Sequence, residues 1–258
     1  MSNEEAMHTR LVALFAFALP VTVATEASAG DQKGLELMVR AAYGSAPADS
    51  PARYSPSGYT LKNDLGGLAT GTEQPYGGGF IGGAYIGYRF MSFMSIGLRG
   101  GYRSSSAGTV SDGSTNLKRE AWDAGLYLRG YPLAVVPAVS KFLDPWLSLG
   151  VIYNRDVQTF DRGVALSNGS QITGNWKLDH HAVAVPIGIG VDYRLLPMLS
   201  VGPSFEYFVE VPVSGCVAVS AAGTSGFKFC SSDPPGDQFM KANGYGVWSL
   251  GVNVRATF

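Results

Sequence analysis

Apolar side chains recur at every second position in residues 243–258. Leu250, Val252, Val254, Ala256 and Phe258 fall on one face of an extended strand, and mostly small or polar residues fall on the other. Such period-two alternation predicts a β-strand with one face against an apolar environment. One strand of this kind fits a soluble sheet as well as a membrane, so the fold depends on whether the pattern repeats.

The same alternation occurs in eight segments of the chain. They are 35–43, 80–90, 94–102, 120–131, 146–154, 180–194, 199–213 and 243–258. We expect strands of roughly 9–15 residues, at or above the roughly 9–11 that cross a bilayer at a tilt. The connections after the first, third, fifth and seventh segments are long and polar, whereas those after the second and sixth are tight turns. The sequence therefore predicts an all-β fold, an eight-stranded antiparallel up-and-down transmembrane β-barrel.

The composition fits a wall that faces lipid on one side. Charged residues make up 15% of the chain, below the usual roughly 25% of soluble domains, and glycine is abundant at 34 residues. The formal net charge of −1 argues against a nucleic-acid partner, because neutralising phosphates requires a concentrated basic surface.

The first 29 residues predict a cleavable signal peptide. Arg10 precedes a 14-residue apolar run, and Ala27, Ser28 and Ala29 form a small-residue cleavage site. The run is too short to span a bilayer comfortably as a helix. We therefore expect residues 1–29 to be removed on export and residues 30–258 to form the barrel.

Aromatic residues on the apolar faces are sorted to the ends of the segments. Those at the long-loop ends are Tyr43, Tyr102, Trp122 and Tyr153, and those at the short-turn ends are Tyr88, Tyr193 and Phe258. Two belts of rings at opposite ends of an apolar band are typical of membrane interfaces.

The two cysteines of the chain, Cys216 and Cys230, both lie in the last long connection. In an exported protein an even pair most simply forms a disulfide. The entropy model assigns roughly 3 kcal/mol to the closure of so short a loop.

The opposite face of the segments predicts a charged lumen. Its principal members are Glu36, Arg40, Arg99, Asp123, Arg129, Asp192, Glu206, Glu210 and Arg255, with Arg89 and Arg194 in the same phase. The interior of an eight-stranded barrel is only just wide enough to be filled by side chains. Opposite charges should pair there, because an unpaired buried charge is strongly unfavourable. The interior is thus either a plug of ion pairs or a narrow polar conduit, and the plug is the simpler interpretation.

A search for catalytic groups gives only two adjacent histidines. His180 and His181 lie at the outer end of the sixth segment, where an enzyme acting on outer-leaflet lipid would place a general base. Such an enzyme also needs a nucleophile or acid within hydrogen-bond reach, and no motif supplies one. We predict no catalytic residue, no metal site and no cofactor.

The chain resembles the small bacterial outer-membrane β-barrel proteins of the OmpA-transmembrane-domain, OmpX and opacity-protein kind. The resemblance lies in the alternation, the loop pattern and the terminal aromatic residue. It implies that Phe258, with Val254, Val252 and Leu250, is a C-terminal sorting signal read by the barrel-assembly machinery. It also implies location in the bacterial outer membrane.

The resemblance leaves several functions open. The first hypothesis is a non-enzymatic protein, with a structural or surface-interaction role through long extracellular loops whose ligand the sequence does not identify. The alternatives are a narrow pore or small-molecule channel, an enzyme that modifies outer-leaflet lipid, and an exported soluble β-sandwich or lipocalin-like carrier. The expected partners are outer-membrane lipid and the assembly machinery, with no nucleic acid.

Overall fold

The computed structural model describes residues 33–45, 59–61, 79–109, 115–134, 136, 142–165, 171–221, 227–230, 240–242 and 245–258. The predicted signal peptide, residues 1–29, lies outside these ranges. Within them there is no helix that is both long and apolar enough to cross a membrane.

Eleven β-strands occupy the described ranges. They are β1 (Gly34–Ser45), β2 (Tyr59–Leu61), β3 (Gly79–Met91), β4 (Met94–Thr109), β5 (Thr115–Gly130), β6 (Leu143–Ala165), β7 (Gln171–Leu196), β8 (Leu199–Ala221), β9 (Phe227–Cys230), β10 (Met240–Ala242) and β11 (Tyr245–Thr257).

Eight of these strands close into a barrel. Antiparallel pairing runs around the wall in the order β1, β3, β4, β5, β6, β7, β8 and β11. β11 also pairs with β1, which closes the barrel. The closing pair continues past the last strand residue, because Phe258 N–H donates to the Leu35 carbonyl at 2.9 Å and Leu35 N–H to the Phe258 carbonyl at 3.1 Å. β9 extends the sheet beside β8, and β2 pairs with β10 separately. The predicted eight-stranded up-and-down barrel is confirmed.

The two faces of the wall follow the alternation of the sequence. Outward side chains are apolar and exposed, such as Val39 at 60%, Leu98 at 58% and Leu250 at 59%. Inward side chains are buried and largely polar or charged. A soluble sheet has the opposite arrangement, because exposing so much apolar surface to water is strongly unfavourable. The soluble-carrier alternative is wrong for this reason.

Pro186 lies inside β7 and interrupts one of its two ladders. It pairs with Phe208 of β8, whereas the register towards β6 stops at Leu149–Ile187 and resumes at Ile152–Ala184. Proline cannot donate a ladder hydrogen bond, which accounts for the gap towards β6.

The strand lengths differ from the prediction on one side of the barrel. β6, β7 and β8 have 23, 26 and 23 residues, so most of the predicted exposed loop 155–179 is strand. Likewise β4 ends at Thr109 and β5 begins at Thr115, which leaves little of the predicted loop 103–119. Above the membrane the outward residues become polar, and the apolar alternation that marks the strands disappears although the ladder continues. We call this protruding part of β4 to β9 the extracellular sheet.

Candidate functional site

The lumen near the short turns contains a cluster of charges centred on Arg255. Its Nη1 lies 3.3 Å from Glu36 Oε1, its Nη2 2.6 Å from Asp144 Oδ2 and its Nε 3.1 Å from Asp192 Oδ2. Arg89 Nη1 adds a second contact to Asp144 Oδ2, at 3.1 Å. These five side chains form the proximal cluster, and each is almost completely buried.

Aromatic rings support the proximal cluster. The Tyr131 hydroxyl donates to the carboxylate of Glu36, with Oε1 at 2.8 Å and Oε2 at 2.9 Å. The guanidinium of Arg89 lies 3.8 Å from the Tyr131 ring centre, and that of Arg129 lies 3.9 Å from the ring of Trp146. Such stacking suits arginine, because its planar cation is weakly hydrated and is attracted by the ring faces.

A central cluster lies further along the axis and is built around Glu206. Arg40 Nη1 is 3.1 Å and Arg99 Nη2 is 3.4 Å from Glu206 Oε2, while the Tyr127 hydroxyl donates to Oε1 at 2.5 Å. Arg99 Nε also lies 3.8 Å from Asp123 Oδ1. The carboxylate of Glu206 thus has partners on three different strands.

An apolar layer follows the central cluster towards the outer end. It is formed by Ala42, Ile81, Ile152, Ala184, Phe208 and Val247, all buried. Because an isolated ion is strongly unfavourable in apolar surroundings, this layer is a barrier to the passage of ions.

Beyond the apolar layer lies a distal cluster. Arg103 Nη1 is 2.5 Å from Glu210 Oε1, Asn154 Nδ2 donates to Glu210 Oε2 at 2.8 Å, and Arg119 forms an ion pair with Asp156. The pair Arg119–Asp156 thus lies in the part of the barrel that the sequence assigned to loops.

The buried charges of the lumen balance. Among the described residues, seven arginines and seven carboxylates are buried. The arginines are Arg40, Arg89, Arg99, Arg103, Arg119, Arg129 and Arg255, and the acids are Glu36, Asp123, Asp144, Asp156, Asp192, Glu206 and Glu210. The formal charges of these buried side chains therefore sum to zero.

The structure places all nine principal lumen residues of the prediction inside the barrel, and it adds four. Arg103, Arg119, Asp144 and Asp156 fall in segments that the sequence assigned to connections, so the alternation gave no signal for them. Arg194 is only half-buried.

The two histidines lie on opposite faces of β7. His180 is buried in the lumen at 1% exposure, whereas His181 points outwards and bonds through Nδ1 to the Tyr153 hydroxyl. Within the described residues no group of His, Cys, Asp and Glu is arranged to hold a metal ion.

The outward aromatic residues form two belts. Tyr43, Trp122 and Tyr153 are 57%, 59% and 53% exposed at the outer end, and Tyr88 and Tyr193 are 55% and 50% exposed near the turns. Rings of this kind settle at membrane interfaces, and the apolar stripes between the belts mark the lipid-facing band.

The extracellular sheet begins just above the outer belt and is held by polar contacts. Arg155 donates to Asp179 through Nε at 3.0 Å and through Nη2 at 2.7 Å. These hydrogen bonds lower the pKa of Asp179. Further out, Asp161 accepts from Asn116 at 2.8 Å and from Asn175 at 2.9 Å, and both bonds lower its pKa.

Two further contacts stiffen the extracellular sheet. Cys216 and Cys230 form the predicted disulfide, which links β8 to β9. On the inner face, Phe160 of β6 and Trp176 of β7 stack with ring centres 6.0 Å apart.

No protein-family model and no curated protein sequence matches the chain. Among solved structures, Neisserial surface protein A is 14% identical, with a TM-score of 0.43 over 87% of this chain and 97% of that one. OprG from Pseudomonas aeruginosa is 17% identical, with a TM-score of 0.47 over 90% and 100%. A major outer membrane protein from Thermus thermophilus is 12% identical, with a TM-score of 0.48 over 85% and 98%. At these identities the likeness concerns the fold alone.

The geometry itself defines the class. In lipid every backbone polar group needs an internal partner, and a closed β-barrel is the sheet that provides it. The wall described above is closed, is apolar on the outside between two aromatic belts, and is polar within. The chain is an eight-stranded transmembrane β-barrel of the bacterial outer membrane.

Proposed function

We propose that the chain is a non-enzymatic outer-membrane protein with a structural or surface-interaction role, in which the barrel is a closed support and the outer end meets partners. The observation that carries this proposal is the filling of the lumen. Three charged clusters and one apolar layer follow each other along the axis, with buried arginines and carboxylates in equal number within the described residues. An ion could pass only by separating these pairs and entering the apolar layer, and both steps are strongly unfavourable.

The outer end supports the surface role. β6 and β7 run together from the aromatic belt to the pair Ala165–Gln171, and β8 and β9 extend the same sheet sideways. The disulfide and the stacked rings give this sheet a fixed shape, and a rigid scaffold is what positions binding loops in other proteins. In this proposal the segment closed by Cys216 and Cys230 is the most rigid presenting element.

A narrow channel is the second candidate, and one feature favours it. A small open pocket at the outer end is lined by Gly44, Gly79, Ile81, Arg103 and Val247 among others. Ile81 and Val247 also belong to the apolar layer, so the pocket ends on the barrier. A ligand could enter there, but its passage would require the layer and the central cluster to rearrange.

Planar-bilayer recording distinguishes the two candidates. We expect the purified folded protein to give no discrete conductance. A double variant, Arg99→Ala with Phe208→Ala, removes one side chain from the central cluster and one from the apolar layer, and should give measurable conductance. This variant is the positive control, because its conductance shows that the assay detects an opened lumen. Discrete conductance of the unchanged protein, similar to that of the variant, would reject the plug and favour the channel.

A further inference from the structure

Arg129 differs from the other buried arginines of the lumen because it contacts no acid. Six of the seven form ion pairs with buried carboxylates. Arg129 is completely buried, yet within the described part of the chain no carboxylate lies at ion-pair distance, and Nε, Nη1 and Nη2 have no hydrogen-bond partner. A guanidinium has five N–H donors, and burying them without acceptors is strongly unfavourable. Arg129 is therefore a buried cation whose donors are open to a ligand.

Two aromatic rings orient this guanidinium. Its Cζ lies 3.9 Å from the ring centre of Trp146 and 5.5 Å from that of Tyr85. Ring faces attract the face of the cation, whereas its N–H donors lie in the plane of the group and point past the rings. The register neighbours of Arg129 on β4 and β6 are Ser95 and Ser148, whose side chains are short. The donors are thus held in a fixed direction beside small residues.

Trp146 contributes a second donor without a partner. Its side chain is 1% exposed, and Nε1 forms no hydrogen bond with any residue that the structure describes. The neighbouring strand fixes the position of the ring, because a Cβ at Gly190 would overlap Cζ2 and Cε2 of the indole. The indole nitrogen can only donate, as can the guanidinium nitrogens. The two stacked groups therefore present donors, and no acceptor, to the same part of the lumen.

The charge at this end of the lumen also favours an anion. Four arginines, of which one is half-buried, lie here with three buried carboxylates. The arginines are Arg89, Arg129, Arg194 and Arg255, and the carboxylates are Glu36, Asp144 and Asp192. The central and distal clusters, by contrast, each contain two arginines and two carboxylates. One monovalent anion near the short turns would therefore make each charged layer of the lumen neutral.

The position of Arg129 separates this site from any path through the barrel. Arg129 is the last residue but one of β5, and its partner Ser95 is the second residue of β4, so both lie close to the short turns. The central cluster and the apolar layer lie further towards the outer end. An anion bound at Arg129 therefore stays on the inner side of the barrier to ion passage.

We propose that Arg129 and Trp146 bind one small monovalent anion of the halide class inside the barrel. A halide accepts several N–H donors at once and carries the single negative charge that this end of the lumen lacks. A phosphate carries more charge than the excess, and the interior is only just wide enough for side chains. A water molecule would accept from the donors but leave the excess charge uncompensated. The inference goes beyond the proposed surface role, which concerns the outer end.

Bromide is the probe, because its anomalous scattering identifies it in a crystal. We expect crystals of the folded protein soaked in sodium bromide to show an anomalous peak within hydrogen-bond reach of the Arg129 guanidinium and Trp146 Nε1. The peak should be absent in Arg129→Met, a substitution that keeps an unbranched chain beside the Trp146 ring and breaks no ion pair. For the same reason this variant should fold and, without halide, be at least as stable as the unchanged protein.

Urea unfolding in detergent measures binding in solution, with sodium bromide compared with sodium gluconate at equal ionic strength. A ligand that binds only the folded protein raises the unfolding midpoint with the logarithm of its concentration. We expect this rise for the unchanged protein and its loss in Arg129→Met. Trp146→Phe keeps a ring but removes the N–H, so it should need roughly tenfold more bromide for the same rise. Arg155→Met, on the extracellular sheet, is the matched control and should respond like the unchanged protein.

Two outcomes would overturn the proposal. The first is the absence of a bromide peak at Arg129 in the unchanged protein. The second is an equal bromide response of Arg129→Met and the unchanged protein, which would assign the donors to water. If Arg129→Met fails to fold, the crystal of the unchanged protein and the response of Trp146→Phe still decide. Planar-bilayer conductance tests the closed lumen separately, so failure of the anion site leaves the proposed function unaffected.

Discussion

Arg255 on the last strand of the barrel forms an ion pair with Glu36 on the first, with Nη1 3.3 Å from Oε1. The two strands are also joined by a continuous antiparallel ladder, so the barrel closure is fixed both in the wall and inside it. Asp144 and Asp192 lie opposite each other across β6 and β7, and the same guanidinium contacts both. One arginine therefore connects the closing strands to the far side of the lumen.

Replacing this arginine should destabilise the barrel strongly. Arg255→Met leaves three buried carboxylates without their shared cation, and loss of one partner of a buried pair lowers the free energy of unfolding by about 3–5 kcal/mol. Arg155→Met, which breaks an exposed pair on the extracellular sheet, is the matched control and should cost less than about 1 kcal/mol. Denaturant unfolding from detergent micelles, followed by tryptophan fluorescence, measures both. Equal losses would contradict the central role of Arg255.

The close approach of β7 and β8 near the short turns makes one glycine necessary. A Cβ at Gly202 would meet the backbone carbonyl of Val191 well inside van der Waals contact, whereas a Cβ at Gly100 would find its nearest atom, the Asp123 carbonyl oxygen, at 3.8 Å. We expect Gly202→Ala to lower the free energy of unfolding by at least about 1–3 kcal/mol, because the backbone has to move. Gly100→Ala should be neutral or stabilising by up to about 1 kcal/mol. The same unfolding assay compares them, and a neutral Gly202→Ala would show that the two strands are further apart.

Acid should loosen the extracellular sheet. Hydrogen bonds from Asn116 and Asn175 lower the pKa of Asp161, and those from Arg155 lower the pKa of Asp179. A carboxylate whose folded pKa is lowered stabilises the fold above its unfolded pKa, and this contribution is lost as the pH falls through the folded value. We therefore expect pepsin cleavage in β6 and β7 to increase below about pH 4, the ordinary range of aspartate.

A variant separates this titration from general acid effects. Asp161→Asn removes one titrating group, so its cleavage should depend less steeply on pH than that of the unchanged protein. Identical pH profiles for the two proteins would show that the bonds to Asp161 contribute nothing to the sheet.

Loss of the disulfide should destabilise the pairing of β8 and β9 and leave the barrel folded. The bond closes a loop with a sequence separation of 14, for which the entropy model gives about 3 kcal/mol. In Cys216→Ser with Cys230→Ser we expect β9 to leave β8 and become accessible to protease, while the heat-dependent gel mobility of the barrel stays unchanged. Loss of the folded band in that variant would show that the extracellular sheet supports the whole wall.

The sequence predicts the faces of the wall well, because side-chain direction in a strand has a period of two and depends on nothing distant. It could not show which charges meet. Arg255 reaches Asp144 across the lumen, and Tyr131 reaches Glu36, through closure and strand stagger that no local pattern encodes. The extracellular sheet was missed for a related reason, since water on the outside removes the apolar stripe.

The terminal residue supports a last prediction, about assembly. We propose that Phe258, with the alternating Val254, Val252 and Leu250, is the sorting signal read by the barrel-assembly machinery. All four side chains point outwards, and Phe258 is 39% exposed at the short-turn end of the closing strand. Phe258→Ala should reduce the folded fraction in the outer membrane several-fold, because the assembly machinery would no longer bind the aromatic side chain. Refolding of the purified variant into detergent should be unaffected, since the backbone pairs with Leu35 do not depend on the side chain. Phe205→Ala, an outward phenylalanine of similar exposure at 41% on β8, is the matched control. Equal losses in cells for both variants, or failure of Phe258→Ala to refold in detergent, would assign the residue to barrel stability instead of recognition.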